Sequence, residues 1–210
     1  MALSEKQKQK KLAKKKQKRK VHAKKINPIK LSMDKAISYA KFSIHECLIP
    51  TNLFETGLGT VIVTRRTLEG DIAICAFIVD VFCLGVKNAL FKVVSEYEYE
   101  RTLKPQIIES NNDVEFENIH QTCARKLIEG AVNYANNLGF NSHPDYKNAK
   151  NIFGDIDSNV CPIKYIYGKE GKPYYMRGPN ESLNDAKIII DNLSKKCGEG
   201  GFDYVVMMDD

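Results

Sequence analysis

Eight consecutive residues, Ile72 to Val79 (IAICAFIV), carry no charge and are rich in β-branched and aromatic types. A run of that length and composition suits a strand buried on both faces, so the chain must build a layer of structure on each side of it. The run ends in Asp80 and leads through Cys83-Leu84-Gly85 to Lys87. An acid, a thiol and a lysine at the exit of a central strand form the first candidate for chemistry.

Before that run, Ser32 stands as an N-cap for a short amphipathic helix carrying Met33, Ala36, Ile37 and Ala40. Strands follow at Ser43 to Ile49 and Thr60 to Arg65, separated by a loop. The turn around Gly70 joins the second strand to Ile72, making a three-strand antiparallel meander. Glu96 to about Lys104 reads as a helix that Pro105 stops, and Gln106 to Glu115 as a polar loop. The clearest helix spans about Glu117 to Leu138, where Ile119, Cys123, Leu127, Ala131 and Leu138 recur at helical spacing ahead of Gly139. This long helix is expected to cover the central strand. Pro144 opens a short helix. Strands are expected at Cys161 to Tyr167, Tyr174 to Arg177 and Phe202 to Met208, with a helix capped by Ser182 and Asp185 before the last. Strands arranged in hairpins rather than alternating with helices predict an α+β fold.

The charge of the chain is split. Residues 1–30 hold thirteen Lys or Arg and one acid, whereas the other 180 residues hold 19 basic and 25 acidic side chains, a charge of −6. The first thirty residues are low in large apolar groups and cannot bury enough surface to offset the entropy of ordering them. They are expected to form a disordered basic arm, with residues 31–210 forming one domain. Lys6, Lys8, Lys10, Lys11, Lys14, Lys15, Lys16, Lys18, Arg19, Lys20, Lys24 and Lys25 make that arm a match for a polyanion. Phe, Tyr and Trp are missing from it, so little base specificity is expected of the arm itself. Nucleic acid, with RNA ahead of DNA and the ribosome as one such particle, is the partner class this implies. A targeting or solubilising tail, an anionic membrane and an acidic protein are the other readings. No apolar run approaches the length of a membrane span, and the chain is expected in the cytoplasm.

Catalytic candidates are weaker. Asp80, Cys83 and Lys87 would make a thiol site if the lysine ionised the cysteine; otherwise Asp80 binds turn amides and Cys83 packs. His143 and Asp145 are the second pair. Asp155 to Asn159 copies the start of a calcium loop, but Val160 and Ile166 stand where its glycine and bidentate acid belong. Those carboxylates read as turn and helix caps. His45 and His120 read as packing or exposed histidines. The glycines at 57 and 59 and at 168 and 171 lack the spacing of a phosphate cradle. No cofactor or metal is expected. The six cysteines include no CxxC pair and most fall in apolar patterns, Cys75 in a strand and Cys123 and Cys197 on helix faces, which reads as reduced core thiols. A non-enzymatic accessory protein is therefore the first reading, and a small hydrolase or nucleic-acid-processing enzyme the alternative.

Three passages in this order resemble a group of bacterial proteins: Phe77 to Lys87, Ala124 to Ile128 leading to Leu138-Gly139-Phe140 and His143-Pro144-Asp145-Tyr146, and Gly171-Lys172-Pro173 followed by Gly178-Pro179. The chain resembles that group over most of residues 43–206. The resemblance implies a bacterial origin and a single domain after the arm, and it carries over no activity and no catalytic residue.

Overall fold

The computed structural model describes residues 36–111, 114–178 and 181–206. The basic arm, the Ser32 cap, the Pro179-Asn180 break and the end of the expected last strand lie outside the described residues. What is described is an α+β fold.

After a turn of helix (α1, Ala36–Tyr39), the chain forms β1 (Ser43–Pro50), a short helix α2 (Leu53–Thr56), β2 (Leu58–Arg66), β3 (Asp71–Asp80) and β4 (Gly85–Ser95). These strands pair antiparallel as a meander, and β5 (Phe116–Asn118) returns to the free side of β1, giving the order β4-β3-β2-β1-β5. The meander thus has four strands rather than the expected three. The additional one is β4, whose alternation is shifted by a bulge: Val79 pairs with Val86 but Ile78 pairs with Asn88, leaving Lys87 as the extra residue.

The sheet has two unlike faces. One presents Val61, Val63, Ala73, Cys75, Phe77 and Phe91 to the long helix α5 (Gln121–Asn137), which packs through Ala124, Leu127, Ile128 and Ala131. The expected covering of the central strand is therefore found, although the helix begins four residues later than expected because 116–118 join the sheet as β5. The other face presents Leu48, Ile62, Ile72, Ile74 and Val94 to a helical stretch carrying Tyr99, Leu103 and Ile107.

That stretch corrects a second expectation. Pro105 does not stop it: α3 (Glu96–Glu98) passes through a π-turn (Tyr99–Leu103) into α4 (Lys104–Glu109). The Lys104 amide reaches five residues back to the Tyr99 carbonyl, which restarts the ladder just before the proline. Pro105 then occupies the first turn of α4, where a missing N–H costs nothing. Gln106 to Glu109 are accordingly helix, not loop.

Beyond α5 come α6 (Tyr146–Ala149) and two 3-10 turns, Lys150–Phe153 and Ser158–Val160. Arg65, itself buried, donates Nε to the Ile152 carbonyl at 2.7 Å and Nη2 to that of Phe153 at 2.9 Å, tying the first turn to β2. Residues Cys161 to Tyr167 form no strand, contrary to the alternation. Their side chains hold them instead: Tyr165 stacks on Phe54 with centroids 5.5 Å apart, and the Tyr167 hydroxyl donates to the Leu127 carbonyl at 2.9 Å. β6 (Tyr174–Met176), the capping-box helix α7 (Leu183–Cys197) and β7 (Asp203–Val205) finish the described chain, with β6 and β7 paired parallel. This unit packs around Cys83, Leu138, Tyr175, Ala186 and Leu193.

The thiol expectation is wrong for two cysteines. Cys123 on α5 and Cys161 are joined by a disulfide across 38 residues, while Cys47, Cys75, Cys83 and Cys197 are free. Sequence spacing alone did not expose the pairing, because the partner of a helical cysteine lies in a segment without regular structure.

Candidate functional site

The exit of β3 behaves as a turn rather than as a reactive group. Asp80 Oδ1 accepts the amides of Phe82 at 2.9 Å and Cys83 at 2.8 Å, closing the β3–β4 connection. Burial pushes its carboxyl up to about 6, against the opposing pull of those amides and of the Lys87 charge. Cys83 is fully buried, and burial, reinforced by the Asp80 charge, raises its thiol well above the ordinary range. A sulfur held that way is no nucleophile at neutral pH.

Lys87 is drawn elsewhere. The bulge turns it toward the C-terminal unit, where Nζ lies 2.5 Å from Glu181 Oε1. Glu181 Oε2 accepts the Tyr175 hydroxyl at 2.7 Å and the Gly178 amide at 3.1 Å. Burial opposes ionisation of Glu181, but the Lys87, Tyr175 and Gly178 donors outweigh it and hold the carboxyl below its usual range. Sequence reading missed Glu181 and Tyr175. The signal was faint: an acid just ahead of a capping box, with its lysine partner 94 residues away.

His143 and Asp145 form a separate, half-exposed pair with Nδ1 3.7 Å from Oδ2, and the Asp145 amide donates back to His143 Nδ1 at 3.3 Å. The His143 amide binds the Val86 carbonyl at 2.8 Å on the edge of β4. The pair shapes the loop into α6. His120 caps α5, its Nδ1 accepting the Thr122 amide at 3.4 Å, and Asp157 accepts the Asn159 amide at 2.9 Å in the second 3-10 turn. Gly57 ends α2 in the left-handed conformation with the Phe82 ring against it, so no phosphate approaches its backbone.

His45, Glu46 and Glu100 bring potential metal ligands within 4.8 Å of one another. The bulge of β1 between Ile44 and Cys47 and the π-turn create this proximity. Lys104 already binds the carboxylates, with Nζ 2.9 and 3.0 Å from the two oxygens of Glu46 and 3.6 Å from Glu100, so a cation stands within the cluster and offsets one of its two negative charges.

The arrangement best suited to a ligand lies on the part of the second sheet face that α3 and α4 leave bare. A groove of about 630 Å³ opens there, floored by Leu58 and Ile78 and bordered by Thr60, Asn88, Asn111, Lys87 and Glu181. Thr60, Ile78 and Asn88 form one row across β2, β3 and β4. Asn111 is structural, since its Oδ1 accepts the Thr60 amide at 2.9 Å and its Nδ2 donates to the Ile107 carbonyl at 2.6 Å. Among the described residues, no helix is long and apolar enough to cross a membrane. Compared with protein-family models, curated proteins and solved structures, the chain matches none.

Proposed function

We propose that this is a non-enzymatic accessory protein that attaches to RNA, or to a ribonucleoprotein such as the ribosome, through the cations of residues 6–25. The observation that carries the reading is the division of charge: thirteen basic side chains against one acid in residues 1–30, and −6 over the rest. Such a density of cations displaces condensed counterions from a phosphate backbone. The acidic remainder repels that backbone and is free to meet a second partner. Support also comes from the exit of β3, where the Asp80 carboxylate is occupied by turn amides and the Cys83 thiol is sealed from solvent.

The test is a comparison of the full chain with a variant lacking residues 1–26, titrated with a single-stranded RNA over a range of salt. With ~6 to 8 phosphate contacts, log K should fall against log salt with a slope of about −4 to −6 for the full chain on this single strand. The shortened chain should lose binding at moderate salt. Retention of affinity without the arm would overturn the reading.

A further inference from the structure

We infer that the groove over β2, β3 and β4 takes a single unstacked nucleobase of the strand that the arm holds; the inference rests on the arm reading above. Its volume, about 630 Å³, is that of a site for a small organic group. The floor is a sheet face near the start of β2 and the end of β3, from which Ile78 and Leu58 stand 38% and 42% exposed. Aliphatic side chains of this kind provide the apolar plate against which an extruded base lies.

The rim is neutral and rich in hydrogen-bonding groups. The side chains of Asn52 and Thr60 make no hydrogen bond among the described residues, and both line the groove. Asn88 uses its Oδ1 on the Ala89 amide at 2.8 Å, which leaves its NH₂ to donate. Amides and hydroxyls above an apolar floor match the mixed donor and acceptor edge of a base. The charges in the lining cancel: Lys87 is paired with Glu181, and both Glu181 oxygens are occupied. Neither a free anion nor a cation finds an uncompensated opposite charge there, and the polar rim disfavours an acyl chain. A planar, uncharged heterocycle satisfies all three conditions. A base in a duplex cannot reach a groove of this kind without leaving its stack, so the groove adds a preference for single strands that the arm lacks.

The experiment uses the full chain and the double variant Thr60→Val/Asn88→Ala, with a 20-nucleotide single-stranded RNA and the same sequence as a duplex, at two salt concentrations. The variant should bind the single strand about tenfold more weakly, with the salt slope and the duplex affinity unchanged. Equal single-strand affinity in the two proteins overturns the inference while leaving the arm reading intact. Adenosine, cytidine, guanosine and uridine are titrated separately and followed by the methyl resonances of Ile78 and Leu58. At least one nucleoside should shift both, and the shift should vanish in the double variant. If none does, the groove is not a base site. If the full chain binds no RNA at low salt, the arm reading fails, and the nucleoside titration decides the groove by itself.

Discussion

Lys87 on β4 and Glu181 ahead of α7 meet as an ion pair across 94 residues, with side chains only 22% and 19% exposed. Removing one partner strands the other charge in a half-dry setting. Lys87→Met should therefore cost about 1–3 kcal/mol in urea unfolding. The double variant Lys87→Met/Glu181→Gln should cost clearly less than the sum of the single changes. Strict additivity would mean that the pair contributes no coupling.

Asp80 should make stability depend on pH in an unusual direction for a carboxylate. Burial lifts its folded-state value to about 6, whereas an unfolded Asp titrates near ~3.9. The folded chain thus holds this proton more tightly. The resulting stabilisation is complete below about pH 4 and is lost as pH rises through about 6. Asp80→Asn keeps an Oδ1 acceptor for the Phe82 and Cys83 amides and has nothing to titrate. The stability of this variant relative to the parent should rise by about 2 kcal/mol between pH 4 and pH 7. A difference that stays constant over that range would contradict the assignment.

Gly130 reverses a familiar rule. Alanine in place of glycine inside a helix ordinarily stabilises by ~1 kcal/mol. Here an added Cβ would stand 2.1 Å from the Tyr167 hydroxyl oxygen, which is seated on α5. Gly130→Ala should lower the unfolding midpoint instead. In a Tyr167→Ala background the same change should raise it. Stabilisation in both backgrounds would show that Tyr167 does not rest there.

The disulfide gives a countable outcome. In denaturant without reductant, a thiol reagent should find four free cysteines, and with reductant six. The Cys123→Ser/Cys161→Ser variant should lose about 4 kcal/mol, the loop-closure value for 38 residues. Six reactive thiols before reduction would refute the bridge.

Much of the frame was legible because it rests on local rules. The uncharged run fixed β3, the period of Cys123, Leu127 and Ala131 fixed α5, and Ser182 with Asp185 marked the start of α7. What escaped had tertiary causes. β4 was hidden by the bulge at Lys87, which shifts the inward positions from Val86 to Ala89 and breaks the period of two. Cys161 to Tyr167 alternates like a strand because Tyr165 packs on Phe54 and Tyr167 on α5, yet no neighbouring backbone pairs with it. The candidate site was less legible still. Asp80 and Lys87 were visible, but Glu181 and the row Thr60, Ile78, Asn88 acquire meaning only once separate strands are set in register. The fact that α4 stops short of that row is invisible in any single segment.

The groove is assembled from parts of very different loop length. Its floor comes from neighbouring strands of a meander, each joined to the next by a short turn, whereas its Glu181 border arrives with the β6–α7–β7 unit. Floor contacts demand little chain closure and can form in the rate-limiting step of folding; the Lys87–Glu181 contact demands far more. Substitutions in the floor should then slow refolding, whereas loss of Glu181 should leave the refolding rate nearly unchanged and speed unfolding. The border of the groove is thus its most readily detached part, and the sheet beneath outlasts it.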